Sequence, residues 1–322
     1  QGTISSEGTV DFKNLYLGNY FVKEIEPAEG YLLDETEYPV EVSYEGQEVQ
    51  IVHREVTVKE TVKKQAFQLI KISEDGEQTE TELVEGAGFK VFLISELSGV
   101  KDGSLKPGNG SYYTPEDFIT YDYSKDETAS YWENGKKITV PELFTDKKGY
   151  LKSPELPYGT YVVVESKTPH NMKTIKPFEV KISENHPDKP QTWRVFLDRE
   201  FTAKLRVIKK DSDTKQTVLV PNAEFKIFNI DKNEYVTQYT TYPSKVEHTS
   251  FFTDEDGDLI LPEALKIGNY RIEEVSAPFG YVVNDKYVNI SVDTDTAFET
   301  DGDTNEAIIT VEYSDAPAVG GL

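Results

Sequence analysis

The stretch "YRIEEVSAPFGY" (Tyr270–Tyr281) decides how this chain is read. Taken as a strand, it puts Tyr270, Ile272 and Glu274 on one face. Two of these favour a core, and the third is a carboxylate whose burial is costly unless it is paired or protonated. A strand here therefore demands partners for Glu274. The arrangement occurs twice more. "YVVVESKTPHNM" aligns Tyr161, Val163 and Glu165, and "YFVKEIEPAEGY" aligns Tyr20, Val22 and Glu24. In each copy Glu follows Tyr by four positions and a Pro comes three or four residues later, as in a strand running into a turn.

Other segments repeat in the same order. "GAGFKVFLI" (Gly86–Ile94) matches "PNAEFKIFNI" (Pro221–Ile230), and "FTDKKGYLKSPELPYGTY" (Phe144–Tyr161) matches "FTDEDGDLILPEALKIGNY" (Phe252–Tyr270). "SSEGTVDFKNLYLGNY" (Ser5–Tyr20) is a looser third copy. "FQLIKISEDG" (Phe67–Gly76) matches "LRVIKKDSDT" (Leu205–Thr214) and has no counterpart before residue 5. The chain thus divides into a partial unit over 1–58, the back half of a repeat, and two complete units over 59–200 and 201–318. Unit two carries an insertion near 97–137 in which "TPEDFITYDY" suggests a helical turn. Short strands with turns such as "DEDGD" and "SEDGE" predict an all-β chain of tandem Greek-key β-sandwiches.

Bulk composition narrows the function. A net charge of −24 over 322 residues repels phosphate, so nucleic acid is not an expected partner. Such a surface favours a monomer in isolation. Cysteine is absent, which removes disulfides, thiolate metal sites and cysteine nucleophiles together. No apolar run has the length of a membrane span, so no membrane contact is expected. Gln1 is neither an initiator Met nor the start of a secretory signal, and the chain reads as an excised fragment.

The remaining ends of the units supply partners for the glutamates. Leu205 and Val207 share a face with Lys209, and Phe67 and Leu69 share one with Lys71. In the last strand of unit three, Ile309, Val311 and Tyr313 share a face with Asp315. In unit two the corresponding residue is Asp198, aligned with Arg194 and Phe196. Burial drives both amine and carboxyl toward neutrality. A neutral amine is a nucleophile, and a protonated carboxyl is something it can attack. The product would be an intramolecular isopeptide bond with loss of one water. An ordinary buried ion-pair network is the alternative.

The motif Tyr-x-x-x-Glu-x-x-x-Pro-x-Gly-Tyr, met in full by Tyr270, Glu274, Pro278, Gly280 and Tyr281, resembles the E-box of the Cna B-type (SpaA-like) domains of Gram-positive surface proteins and pilins. "VIKKDSD" resembles the family's first strand, which holds the reactive lysine, here Lys209. The family's acceptor is an Asn or Asp near the end of the last strand, which fits Asp315 in "VEYSDAP". The resemblance implies a prealbumin-like sandwich in which Lys209 and Asp315 bond with Glu274 as catalytic proton shuttle. It implies the same of Lys71, Asp198 and Glu165. Unit two departs from the motif in "TPHNM"; unit one lacks the lysine strand, and His53 is expected at its acceptor position.

Other signals are weaker. "TDEDGD" (Thr253–Asp258) lacks the spacing of an EF-hand loop and reads as a hairpin turn. The four histidines (His53, His170, His186, His248) show no ligand spacing, and no hydrolase, phosphate-loop or dinucleotide motif is present. No cofactor and no metal are expected. "YPSK" (Tyr242–Lys245) lacks the pattern around a sortase site. The expectation is a structural stalk or adhesin segment outside the cell, anchored to a wall or pilus by parts beyond this fragment, with other pilus or surface subunits as partners. It is not an enzyme beyond a single self-directed turnover. The rivals are a module binding host matrix or glycans through the Tyr-rich insertion, and accessory domains of a surface enzyme.

Overall fold

The computed structural model describes residues 1–74 and 81–320. The part of the "SEDGE" turn beyond Glu74 lies outside the described residues. Unit three shows the architecture best. Strand Thr202–Asp211 sits centrally in one sheet, with Asp258–Ile260 antiparallel on one side and Ala307–Pro317 parallel on the other. Tyr281–Val282 extends this sheet along Ala307–Pro317. The facing sheet orders Glu234–Tyr235, Glu224–Asn229, Gly268–Ser276 and Val288–Val292. Strand Thr202–Asp211 alternates without exception between half-buried and buried residues, which is the two-residue period of a strand with one face on a core. That core joins Leu205 and Val207 to Phe225, Ile227, Tyr270, Ile272, Ile309 and Tyr313.

Unit two repeats the plan. Gln68–Glu74 lies between Tyr150–Lys152 and the parallel strand Arg194–Arg199. The facing sheet orders Leu143–Phe144, Gly88–Leu93, Gly159–Lys167 and Phe178–Ile182. The insertion does form helical turns, at Ser98–Lys101, Pro115–Phe118 and Tyr123–Lys125. Thr114 and Asp117 cap the second of these reciprocally. The insertion has a small core of its own, in which Leu97 and Phe118 meet Phe92, Ile94 and the outward-facing Val162.

Unit one has only two short ladders. Gly18–Val22 pairs with Tyr38–Val42, and Tyr31–Leu32 pairs with Thr61–Val62. One feature runs through all three units. The hydroxyls of Tyr20, Tyr161 and Tyr270 donate to the carbonyls of Tyr16, Pro157 and Lys266, four residues back, at 2.8, 2.8 and 2.9 Å. The motif tyrosine therefore ties the start of the glutamate strand to the turn before it. Between the two residues comes a glycine (Gly18, Gly159, Gly268) with φ between 153° and 157°, a backbone state that side chains disfavour.

Candidate functional site

In each complete unit the strand bearing the lysine and the strand bearing the aspartate lie side by side in one sheet, and the glutamate comes from the sheet opposite. In unit three Asp211 faces Asp315 across the parallel ladder and Lys209 faces Tyr313, two residues before the acceptor. In unit two Lys71 faces Phe196, again two residues before Asp198. On the facing sheet Glu274 lies opposite Phe225 and Glu165 opposite Phe89. A register shift follows each glutamate, so the strand kinks where its carboxylate turns into the core.

These placements converge. Lys209 Nζ lies 2.5 Å from Glu274 Oε1 and contacts Asp315 Oδ1. Lys71 Nζ lies 2.8 Å from Asp198 Oδ1 and contacts Glu165 Oε1. All six side chains are withdrawn from solvent. Aromatic rings line the amines: Tyr313 and Phe225 have centroids 4.6 and 5.4 Å from Lys209 Nζ, and Phe89 lies 5.7 Å from Lys71 Nζ. The lysine backbones are held alike, Lys71 N donating to Gly149 O and Lys209 N to Gly257 O, both at 2.8 Å. The turn "TDEDGD" is thus part of the lysine's mount. Among the described residues, no cluster of His, Cys, Asp and Glu is arranged to hold a metal ion.

One cation against two carboxylates leaves an excess negative charge in a dry core. Burial pushes the Asp315 carboxyl up to about 6 despite Lys209 beside it, and the charge of Glu274 adds to the rise. Burial likewise raises Asp198 and Glu165 against the pull of Lys71. Yet neither oxygen of Asp315 or Asp198 takes part in a well-directed hydrogen bond, although all four are buried. One oxygen of each, Oδ1, is held only by its contact with the lysine amine.

The glutamates are better anchored. Glu274 Oε2 accepts from Asn284 N and Glu165 Oε2 from Ile175 N, both at 2.8 Å. Glu24 Oε2 accepts from Asp34 N at 2.7 Å. The donor is always ten residues downstream, so the turn after the strand orients the carboxylate. The altered "TPHNM" turn of unit two keeps this anchor. It also keeps the strand pairing: Met172 faces Glu200 just as Tyr281 faces Pro317, in each case two residues beyond the acceptor.

That register corrects one expectation. In unit one Tyr31 faces Val62, so the residue that aligns with Asp198 and Asp315 is Glu60, not His53. The sequence signal was the alternation Val56, Val58, Glu60, the counterpart of Val311, Tyr313, Asp315.

With this geometry in place, comparison with known proteins is direct. A family profile described as the SpaA prealbumin-like fold domain matches residues 1–57, 65–194 and 203–306. The chain belongs to the SpaA prealbumin-like family. Solved structures similar to this SpaA chain include the Bacillus anthracis TIE protein, at 23% identity and TM-score 0.38, over 98% of this chain and 45% of that one. The minor pilin GBS52 of Streptococcus agalactiae is similar at 14% identity and TM-score 0.30, over 80% of this chain and 98% of its own. The shaft pilin SpaA of Lactobacillus rhamnosus GG is similar at 17% identity and TM-score 0.28, over 80% and 99%. The chain thus spans less than half of the TIE protein structure. No curated protein matches it. Among the described residues no helix is long and apolar enough to cross a membrane.

Proposed function

We propose that these SpaA units form a stalk or adhesin segment on a Gram-positive cell surface or pilus, hardened by one intramolecular isopeptide bond in each complete unit. In unit three Lys209 is the nucleophile, Asp315 the acceptor and Glu274 the proton shuttle. Lys71, Asp198 and Glu165 take the same roles in unit two. The single observation that carries this reading is the burial of each acceptor carboxyl against a lysine amine with neither oxygen engaged in a directed hydrogen bond.

The chemistry balances within the cluster. The lysine passes a proton to the carboxyl pair and attacks the acceptor carbonyl carbon as a free amine. Glutamate relays the proton to the departing hydroxyl. One N–C bond forms, one C–O bond breaks and one water leaves. Confinement replaces the activation such a condensation needs in bulk water. Each bond forms once per molecule, so the protein is not a turnover enzyme.

The bond joins the first strand of a unit to its last. By analogy with disulfide loop closure it would stabilise unit three by roughly 4–5 kcal/mol. Pulling force entering at the lysine strand would leave through the acceptor strand without loading the strands between. A stalk of this kind takes other surface or pilus subunits as its neighbours. Intact-mass spectrometry tests the reading: the protein should weigh two waters less than its sequence. A mass equal to the unmodified sequence leaves two buried ion-pair clusters and removes the mechanical role.

A further inference from the structure

The path that anchors each glutamate also reaches out of its own unit. Six residues after the glutamate it passes through a residue with positive φ: Gly30 at 88°, Asn171 at 62° and Gly280 at 90°. In every copy the carbonyl of that residue accepts from a backbone N–H just past the last strand, from Lys63, Phe201 and Ala318, each at 2.8 Å. The turn is therefore pinned to the chain where the chain leaves the unit. Its shape is intrinsic. Unit three's copy has it although Phe279 is 93% exposed and no described atom comes within 4 Å of a Cβ built on Gly280.

In units one and two the same turn touches the unit that follows. Glu29 accepts from the Tyr158 hydroxyl, and a Cβ on Gly30 would come within 2.5 Å of the Tyr158 ring. His170 and Asn171, which hold the places of Glu29 and Gly30, meet Thr294 and Asp295 instead. Asn171 N donates to Thr294 Oγ1 at 3.1 Å, and Asn171 Oδ1 accepts from Thr294 N at 3.3 Å and from Thr294 Oγ1 at 3.4 Å. His170 Nε2 lies 3.0 Å from Asp295 Oδ2. That pair is exposed on both sides and adds little in water. The half-buried Asn171 and Thr294 decide the orientation, since several bonds between two residues fix direction as well as distance. The receiving loop is shaped in advance, because Asp293 Oδ1 accepts from Asp295 N, Thr296 N and Thr296 Oγ1 at 3.0, 2.7 and 2.9 Å. Beside it Phe201, buried in the core of unit three, packs on Phe298 with ring centroids 5.0 Å apart.

These contacts account for "TPHNM". Asn tolerates positive φ better than most side chains, so it can replace the glycine of the motif without breaking the path. It also adds an amide that glycine lacks. We propose that this turn is the docking element between successive units, and that in unit two it is keyed to the 293–298 loop of unit three so that the two units move as one body. Only Glu200 and Phe201 separate strand Arg194–Arg199 from strand Thr202–Asp211. Units joined by a small polar interface ordinarily move against each other. Here the short connection, the Asn171–Thr294 bonds and the phenylalanine pair remove that freedom together. The inference does not depend on the isopeptide bonds.

The test measures the spread of distances between the two units. The chain has no cysteine, so Glu179→Cys in strand Phe178–Ile182 and Thr310→Cys in strand Ala307–Pro317, both exposed, supply two unique sites for nitroxide labels. Double electron–electron resonance on the full chain should give one narrow distribution. Asn171→Gly restores the residue of the motif and keeps the backbone, and Thr294→Val keeps the side-chain shape and removes the hydroxyl. Each should broaden the distribution about twofold, with intact mass and far-UV circular dichroism unchanged. The two substitutions lie in different units, so if one prevents folding the other still tests the joint. An unchanged width in a folded variant overturns the proposal, and so does a broad distribution in the protein that has Asn171 and Thr294.

Discussion

Units two and three reach the same cluster from different sequences. Unit three has the full Pro278-x-Gly280-Tyr281 turn, and Tyr281 donates to Asp211 Oδ2 at 3.0 Å. Unit two has "TPHNM" there and no such tyrosine. Nevertheless Glu165 and Glu274 accept from a backbone N–H ten residues on, and Met172 takes the pairing position of Tyr281. What the cluster needs from that turn is a path of fixed length that brings one N–H back to the carboxylate. The side chains of the motif are one way of making that path.

The largest effect expected from this equivalence is on the lysines. Lys71→Ala and Lys209→Ala should each restore one water to the mass and lower unfolding stability by roughly 4–5 kcal/mol or more, through loss of loop closure and stranding of buried carboxyls. If only Lys209→Ala changes the mass, unit two is an ion-paired lookalike and the equivalence breaks.

A pH series sharpens the comparison next. In Lys209→Met, Asp315 remains a free buried carboxyl without its cation, titrating above the value of about 6 it has beside Lys209. Its folded-state value then exceeds its unfolded one, so the fold binds the extra proton. Stability is fullest below pH ~4 and is lost as pH rises through 6 and beyond. Subtracting the melting curves of Lys209→Met/Asp315→Asn isolates this slope. The proposed bond would consume this carboxyl as an amide, so on that reading the unsubstituted protein should not show the slope.

Smaller effects follow at the lysine mounts. Gly149 and Gly257 have φ of 66° and 77°, and a Cβ there would come within 2.2 Å of Lys71 O and 2.3 Å of Val218 O. Gly149→Ala and Gly257→Ala should each cost about 1–3 kcal/mol in thermal unfolding. Tyr281→Phe should matter least. It removes one hydrogen bond, worth about 1 kcal/mol, and should leave the mass unchanged because unit two manages without it.

Much of this was legible in the chain. Strand alternation placed Lys71, Glu165, Asp198, Lys209, Glu274 and Asp315 on inward faces, and the threefold repeat gave the sandwich plan. The parallel pairing of first and last strands was not readable, because alternation reports which face a residue occupies and not which strand lies beside it. The counterpart of Asp198 and Asp315 in unit one was missed for a related reason. His53 lies in "IVHRE", where no repeat motif sets the register, whereas Glu60 is fixed by the pairing of Tyr31 with Val62. The ten-residue glutamate anchors were also hidden, since any residue can offer its backbone N–H.

The parallel ladder between Thr202–Asp211 and Ala307–Pro317 has one more consequence. Neighbouring strands that run the same way begin at one pole of a sandwich and finish at the other. A polypeptide threaded through such a module emerges opposite its point of arrival, ready to start the next copy. At the rise of an extended backbone, the 11 residues of Ala307–Pro317 cover about 35 Å. On the stalk reading proposed above, duplicating the module would add reach instead of girth, and repeat number would set length.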